Sequence, residues 1–182
     1  MRRVKSLPWR ITPLLLLPLA ASAQNVSVPA VAARGDQLKA GYVLNFARFV
    51  EWPESAPATL TLCVAGNRGV LDALRASESS NRIGARTITF REVGAADSVN
   101  GCNVLYLETS NVRRVDQVQP NSATLTVSND KGFARSGGTI ELFTQANRLR
   151  FIINTENARR AGLRISSSLL QLAAVVERGE SR

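Results

Sequence analysis

The sequence predicts an α/β fold: a single-domain sandwich with a mixed, mostly parallel sheet flanked by helices, closed by a C-terminal hairpin and two helices. Three observations lead there. Short β-rich runs alternate with segments of helical period, the pattern of a parallel sheet wrapped by crossover helices. Two further β-rich runs, 139–144 and 148–154, flank only Gln145, Ala146 and Asn147, which is a hairpin spacing. The chain has 182 residues, 45% of them hydrophobic, with no internal repeat, enough for one real core and no more.

Residues 1–23 are set apart from the fold. Arg2, Arg3, Lys5 and Arg10 precede the apolar run 14–19, and Ala21-Ser22-Ala23 follows in the A-x-A pattern. A basic region, a short apolar centre and small residues make a secretory signal peptide cleaved after Ala23. The run is too short and too interrupted by Pro18 for a membrane span of about 20 apolar residues. Its removal takes four basic residues and no acidic ones, leaving 19 against 14, a mature charge of +5. Such a mildly basic exported domain is not a nucleic-acid binder; it suits an anionic surface or a solvated one.

Residues 24–35 are small, polar and Pro29-containing, and read as a flexible leader. A helix is expected from Asp36, as N-cap, to the stop at Pro53, with Leu38, Tyr42, Phe46 and Phe49 on its core face. A strand over 59–65 leads through Gly66-Asn67-Arg68-Gly69 into a helix ending near Ala76. A strand, a glycine turn and a helix start can hold an anion on free N–H groups, so Asn67 and Arg68 are candidate binding residues. The turn lacks the phosphate-loop and dinucleotide fingerprints, and an ordinary βα turn explains it equally. Further strands are expected over 86–93, 103–107 and 123–127, with a short helix over 110–118 stopped by Pro120. Ser128 and Asp130 fall just past a strand's carboxyl end, where open α/β sheets place ligands.

Asn154 and Ser166 to Ser168 are cap residues for two closing helices, separated at Gly162. Arg159, Arg160 and Arg164 in those helices form a cationic cluster able to meet an anion or a partner carboxylate. Cys63 and Cys102, the two cysteines, are far apart for a redox pair; in an oxidising compartment a structural bridge is the natural reading. It would close a loop of about 39 residues, worth roughly 4 kcal/mol by chain entropy.

The sequence contains no histidine. That removes Ser-His and Cys-His catalysis and His-based zinc sites. Lys39 and Lys131 are the mature lysines, and neither sits in an S-x-x-K pattern. A carboxylate pair such as Glu108 with Asp130 has no signal in the spacing. Neither a cofactor nor a metal is expected, and the chain reads as a non-enzyme.

The segments LKAGYVLNFARFVEWP, LTVSNDKGFARSGGTIEL, NRLRFIIN and ARRAGLRISSSLLQLA resemble the YfiR family of periplasmic proteins. The resemblance runs from about Leu38 to Ala173, which makes 36–178 a YfiR-like domain. It implies a periplasmic α/β sandwich that tends to form a homodimer and carries a Cys63–Cys102 type of bridge. Its implied function is repression of a membrane-bound diguanylate cyclase through that enzyme's periplasmic sensor domain, lowering cyclic-di-GMP and biofilm formation. An outer-membrane lipoprotein that sequesters the repressor is the second implied partner. The second cysteine pair found in some members is absent from this chain. The alternative function is a periplasmic binding module for a small anionic ligand in another signalling system.

Overall fold

The computed structural model describes residues 28–77, 82–119 and 121–177. The expected signal peptide (residues 1–23), residues 24–27 of the expected leader, the expected stop at Pro120 and residues 178–182 lie outside them. The chain begins with α1 (Val28–Phe49) and β1 (Val50–Glu51), then β2 (Thr59–Ala65), α2 (Arg68–Ala76), β3 (Arg82–Ile83) and β4 (Arg86–Glu92). Next come β5 (Val104–Leu107), a 3-10 helix (Thr109–Gln117) and β6 (Leu125–Ser128). The hairpin β7 (Ile140–Gln145) and β8 (Arg148–Asn154) leads to α3 (Thr155–Arg160), β9 (Arg164–Ile165), α4 (Ser167–Leu172) and β10 (Val175–Glu177).

Eight strands form one mixed sheet in the order β10-β8-β7-β6-β5-β2-β4-β3, and β1 and β9 form a separate antiparallel ribbon. All neighbours in the large sheet run parallel except β3–β4 and β7–β8. β5 and β6 are buried at every position, as central parallel strands covered on both faces must be. From β2 the chain goes to β4 on one side and returns to β5 on the other. That reversal makes the β2/β5 boundary the topological switch point of the sheet.

One face of the sheet carries the larger core, where Leu60, Leu62, Val64, Tyr106, Val127, Ile140 and Phe151 meet α1 and α2. The opposite face buries Cys63, Leu105, Leu107 and Phe133, backed by Val115 and Val118 at the 3-10 helix. The Cys63–Cys102 bridge is formed there, with Cα atoms 5.7 Å apart. The Arg91 guanidinium lies against it, 2.8 Å from Cys102 Sγ and 2.9 Å from the Asn100 carbonyl oxygen it donates to. Gly138 is set by packing: a Cβ there would run into the buried Phe133 ring.

The first helix departs from the sequence reading in two ways. It starts at Val28, so residues 28–35 are helical rather than leader, and Asp36 lies mid-helix instead of capping it. Pro29 falls in the first turn, where a missing N–H costs nothing, and Ala30, Ala32 and Ala33 are strong helix formers. Its core face is Ala40, Val43, Leu44 and Ala47 with Phe46, whereas Leu38 and Phe49 remain 51% and 40% exposed. Small residues make up much of the buried face of α1, which packs chiefly against α2, and the larger Leu38 and Phe49 stay at its flank. Tyr42 on that flank donates its hydroxyl to the Leu149 carbonyl at 3.0 Å and stacks edge-on against Phe46 and Phe151.

Asn154 and Ser166 cap α3 and α4 as expected, and Asn67, expected as a candidate binding residue, caps α2; the three accept the N–H groups of Asn157, Leu169 and Val70. Ala146 and Asn147 both take positive φ in the β7–β8 turn, the geometry that lets a two-residue loop match strand twist.

A carboxylate centre at the switch point

Glu108 is the first residue after β5, and Gly66 and Asn67 are the first after β2. These strand ends converge, as the parallel register and the switch point require. Glu108 Oε2 accepts from Asn67 Nδ2 at 2.9 Å and from the Tyr106 hydroxyl at 3.0 Å. Its Oε1 accepts from Asn129 Nδ2 at 2.6 Å, from the loop that follows β6. Lys39 of α1 stands 3.8 Å from Oε1 and 3.6 Å from Asp36. Asn67 donates also to Asp36 Oδ1 at 3.1 Å, so one amide bridges two carboxylates. Among the described residues, Asn129 Oδ1 is the one buried amide oxygen there without a partner.

The electrostatics follow from the geometry. Burial alone would raise the Glu108 pKa, but the bonds from Asn67 and Asn129, the Lys39 charge and the Tyr106 hydroxyl outweigh it and hold the carboxyl below its ordinary value. Tyr106 is pushed well up, first by burial and then by the Glu108 charge, and stays a neutral donor. The centre is therefore a fixed anion wrapped in donors, joining α1, β2, β5 and β6.

The sequence-predicted anion turn resolves differently. The start of α2 is capped by the Asn67 side chain and faces Asp36, whose carboxylate occupies the space that a Cβ on Gly69 would need. The protein supplies its own anion to that helix end. Arg68 lies outside, in a 4.0 Å pair with Glu92. Ser128 is fully buried, and its hydroxyl accepts the Asp130 N–H at 3.1 Å, so it shapes the turn and is closed to a partner. Asp130 is half-buried beside it. Glu108 has Asp36 as its carboxylate neighbour, through Asn67 and Lys39, and no bond joins it to Asp130 among the described residues.

The three arginines do not act as one bare patch. Arg159 forks onto Glu156 at 2.7 and 2.9 Å, and Arg164 pairs with Glu51 across the β1–β9 ribbon at 3.0 Å. Arg160 instead lines a polar cavity of about 180 Å³ with Asp116, Asn157 and several threonines. A more apolar groove of about 270 Å³ lies between α1, β8 and α4, lined by Tyr42, Phe46, Phe49, Leu149, Phe151 and Leu172. Among the described residues no group of three or more Cys, Asp or Glu is placed to hold a metal, and no helix is long and apolar enough to cross a membrane.

Sequence reasoning missed the carboxylate centre. The signal available was the position of Glu108 directly after a fully apolar strand in a parallel sheet, the place where polar groups gather.

A disulfide-pinned, mostly parallel α/β sheet with a polar centre at its switch point defines the structural class. The family model described as YfiR/HmsC-like matches residues 36–174, and the chain belongs to that family. Among solved structures the chain is similar to a conserved domain protein from Vibrio cholerae O1 biovar El Tor, at 12% identity and a TM-score of 0.51. A second similarity, at 12% identity and a TM-score of 0.47, is to the ABC domain in complex with L-Trp from Streptococcus pneumoniae. Each similarity covers 78% of this chain and 60% of the other. The first of them supports the fold alone.

Proposed function

We propose that this protein is a periplasmic regulatory binding protein that holds a membrane-bound diguanylate cyclase inactive through the cyclase's periplasmic sensor domain, lowering cyclic-di-GMP. The observation that carries the reading is membership of the YfiR/HmsC-like family across residues 36–174. The export signature of residues 1–23 and the Cys63–Cys102 bridge fit an oxidising compartment outside the cytoplasm. A sequence without histidine suits a protein that works by binding rather than by turnover. A homodimer, and an outer-membrane lipoprotein that sequesters the repressor, belong to the same reading.

The proposed docking face is the exposed arginine surface of Arg159 and Arg164, with the Asp130 loop as its second contact. The Arg159 and Arg164 side chains are 76% and 85% exposed, so each can exchange Glu156 or Glu51 for a partner's carboxylate at small cost. Deleting the gene from a strain that encodes a cognate cyclase should raise cellular cyclic-di-GMP. Complementation with the wild-type chain should restore it, and complementation with an Arg159→Glu, Arg164→Glu chain should not. An unchanged level after deletion refutes the regulatory reading; full rescue by the double variant refutes the docking face alone.

A further inference from the structure

We propose that the outer stripe of α1, with the groove it shares with α4, docks on the surface of an anionic phospholipid bilayer. Among the described residues five large apolar side chains are exposed, and four of them, Val31, Leu38, Phe49 and Leu172, belong to this surface. Val31, Leu38 and Phe49 follow at intervals of seven and eleven residues, each within about 20° of a whole number of helical turns. They therefore form one line along α1, about 27 Å long. Phe49 ends that line at the groove, and Leu172 lines the same groove from α4 while remaining 65% exposed. Single exposed apolar side chains are ordinary on a soluble surface; an aligned set running into an apolar groove is a contact surface.

The charges around the line decide what it contacts. Arg34 and Arg48 lie to one side of it, about 60–100° around the helix, and both are exposed. Among the described residues neither is held in an ion pair. Asp36, the one acid of α1, is turned the other way, into the carboxylate centre, where Asn67 donates to it at 3.1 Å and Lys39 stands 3.6 Å off. Glu51, the next acid along the chain, is taken up by Arg164. An apolar line flanked by unpaired cations, with no outward acid, is the pattern of a helix lying in the plane of an acidic membrane surface. The apolar side chains enter the headgroup boundary and the arginines meet lipid phosphate. A second copy of the chain is a poorer match. Antiparallel pairing of two such stripes about their middle sets Arg34 of one copy beside Arg48 of the other, and parallel pairing sets each beside itself. Both bring like charges together with no acid on the helix to offset them.

The inference stands apart from the cyclase reading, because it is tested on the isolated mature chain. Flotation with vesicles of phosphatidylglycerol and phosphatidylethanolamine at low salt should recover the protein, and vesicles of phosphatidylcholine alone should bind it at least about tenfold more weakly. Val31→Ser with Leu38→Ser, and separately Arg34→Glu with Arg48→Glu, should each weaken binding to the acidic vesicles by at least about tenfold. Melting temperature and circular dichroism should stay close to wild type in both chains, since all four side chains are exposed. Arg82→Glu with Arg113→Glu changes the net charge equally, at the far sheet edge and on the 3-10 helix of the opposite face, and should leave binding intact. No recovery with the acidic vesicles, equal binding to phosphatidylcholine, wild-type binding in either stripe variant, or an equal loss in the Arg82 and Arg113 chain would each overturn the proposal. So would a dimer that Val31→Ser with Leu38→Ser dissociates, in a protein that binds no vesicle.

Discussion

Replacing Glu108 with Gln tests the carboxylate centre with one atom. The carboxylate accepts from Asn67, Asn129 and Tyr106, and all three are donors aimed at it. A glutamine keeps the shape but presents one NH2 to those donors, so at least one bond becomes a donor–donor contact. Asn67 keeps Asp36 as a second acceptor, whereas the Tyr106 hydroxyl is enclosed in the core. Leaving one or two such donors unmatched costs about 1–3 kcal/mol each, for a total of about 1–6 kcal/mol. In a chain of this length that is a fall of about 2–24 °C in Tm. The pH dependence has a definite sign. Because the native Glu108 pKa is depressed, its contribution is complete above the unfolded value of about 4.3 and is lost as pH falls through the native value. Urea titrations of wild type and Glu108→Gln should therefore show a gap that is flat near neutrality and closes below about pH 4. A gap absent at neutral pH, or unchanged at about pH 3, would refute the assignment.

Two further outcomes concern packing and the cross-link. Replacing both Cys63 and Cys102 with Ser should cost about 2–5 kcal/mol, since the bridge closes a 39-residue separation. Equal wild-type melting temperatures with and without reductant would show that the bridge contributes nothing. Gly138→Ala should cost about 1–3 kcal/mol, because the new methyl meets a Phe133 ring that is itself buried. Chemical denaturation reads this directly, and an unchanged midpoint would mean that the ring can move aside.

The strands β2, β4, β7 and β8 were legible to within one residue at either end, because each is a run rich in β-branched, aromatic or aliphatic residues bounded by turn or cap residues. The caps Asn154 and Ser166 were legible for the same local reason, whereas Asn67 was read as a binding residue and Asp36 wrongly as a cap. The short strands β1, β9 and β10 were not: two or three residues carry no period, and their pairing is decided by where the chain passes a neighbour. The face of α1 was misjudged because side-chain size suggested Leu38 and Phe49, while the packing of the helix against α2 buries Ala40 and Ala47. The carboxylate centre draws on Asp36, Lys39, Asn67, Tyr106, Glu108 and Asn129, and only the strand order brings them together. No local pattern could announce it.

The two attachments of α1 make it a mechanical link. The helix has 22 residues and is about 33 Å long. Asp36 and Lys39 tie it to the switch point, and farther along Tyr42 and the Phe49 carbonyl tie it to β8 and the segment entering α4. A continuous helix bends little over that distance. A load applied at the carboxylate centre would therefore reach the flank beside β8 and α4 as a tilt of one rigid lever, with its pivot where Ala40, Val43 and Ala47 are buried in the core.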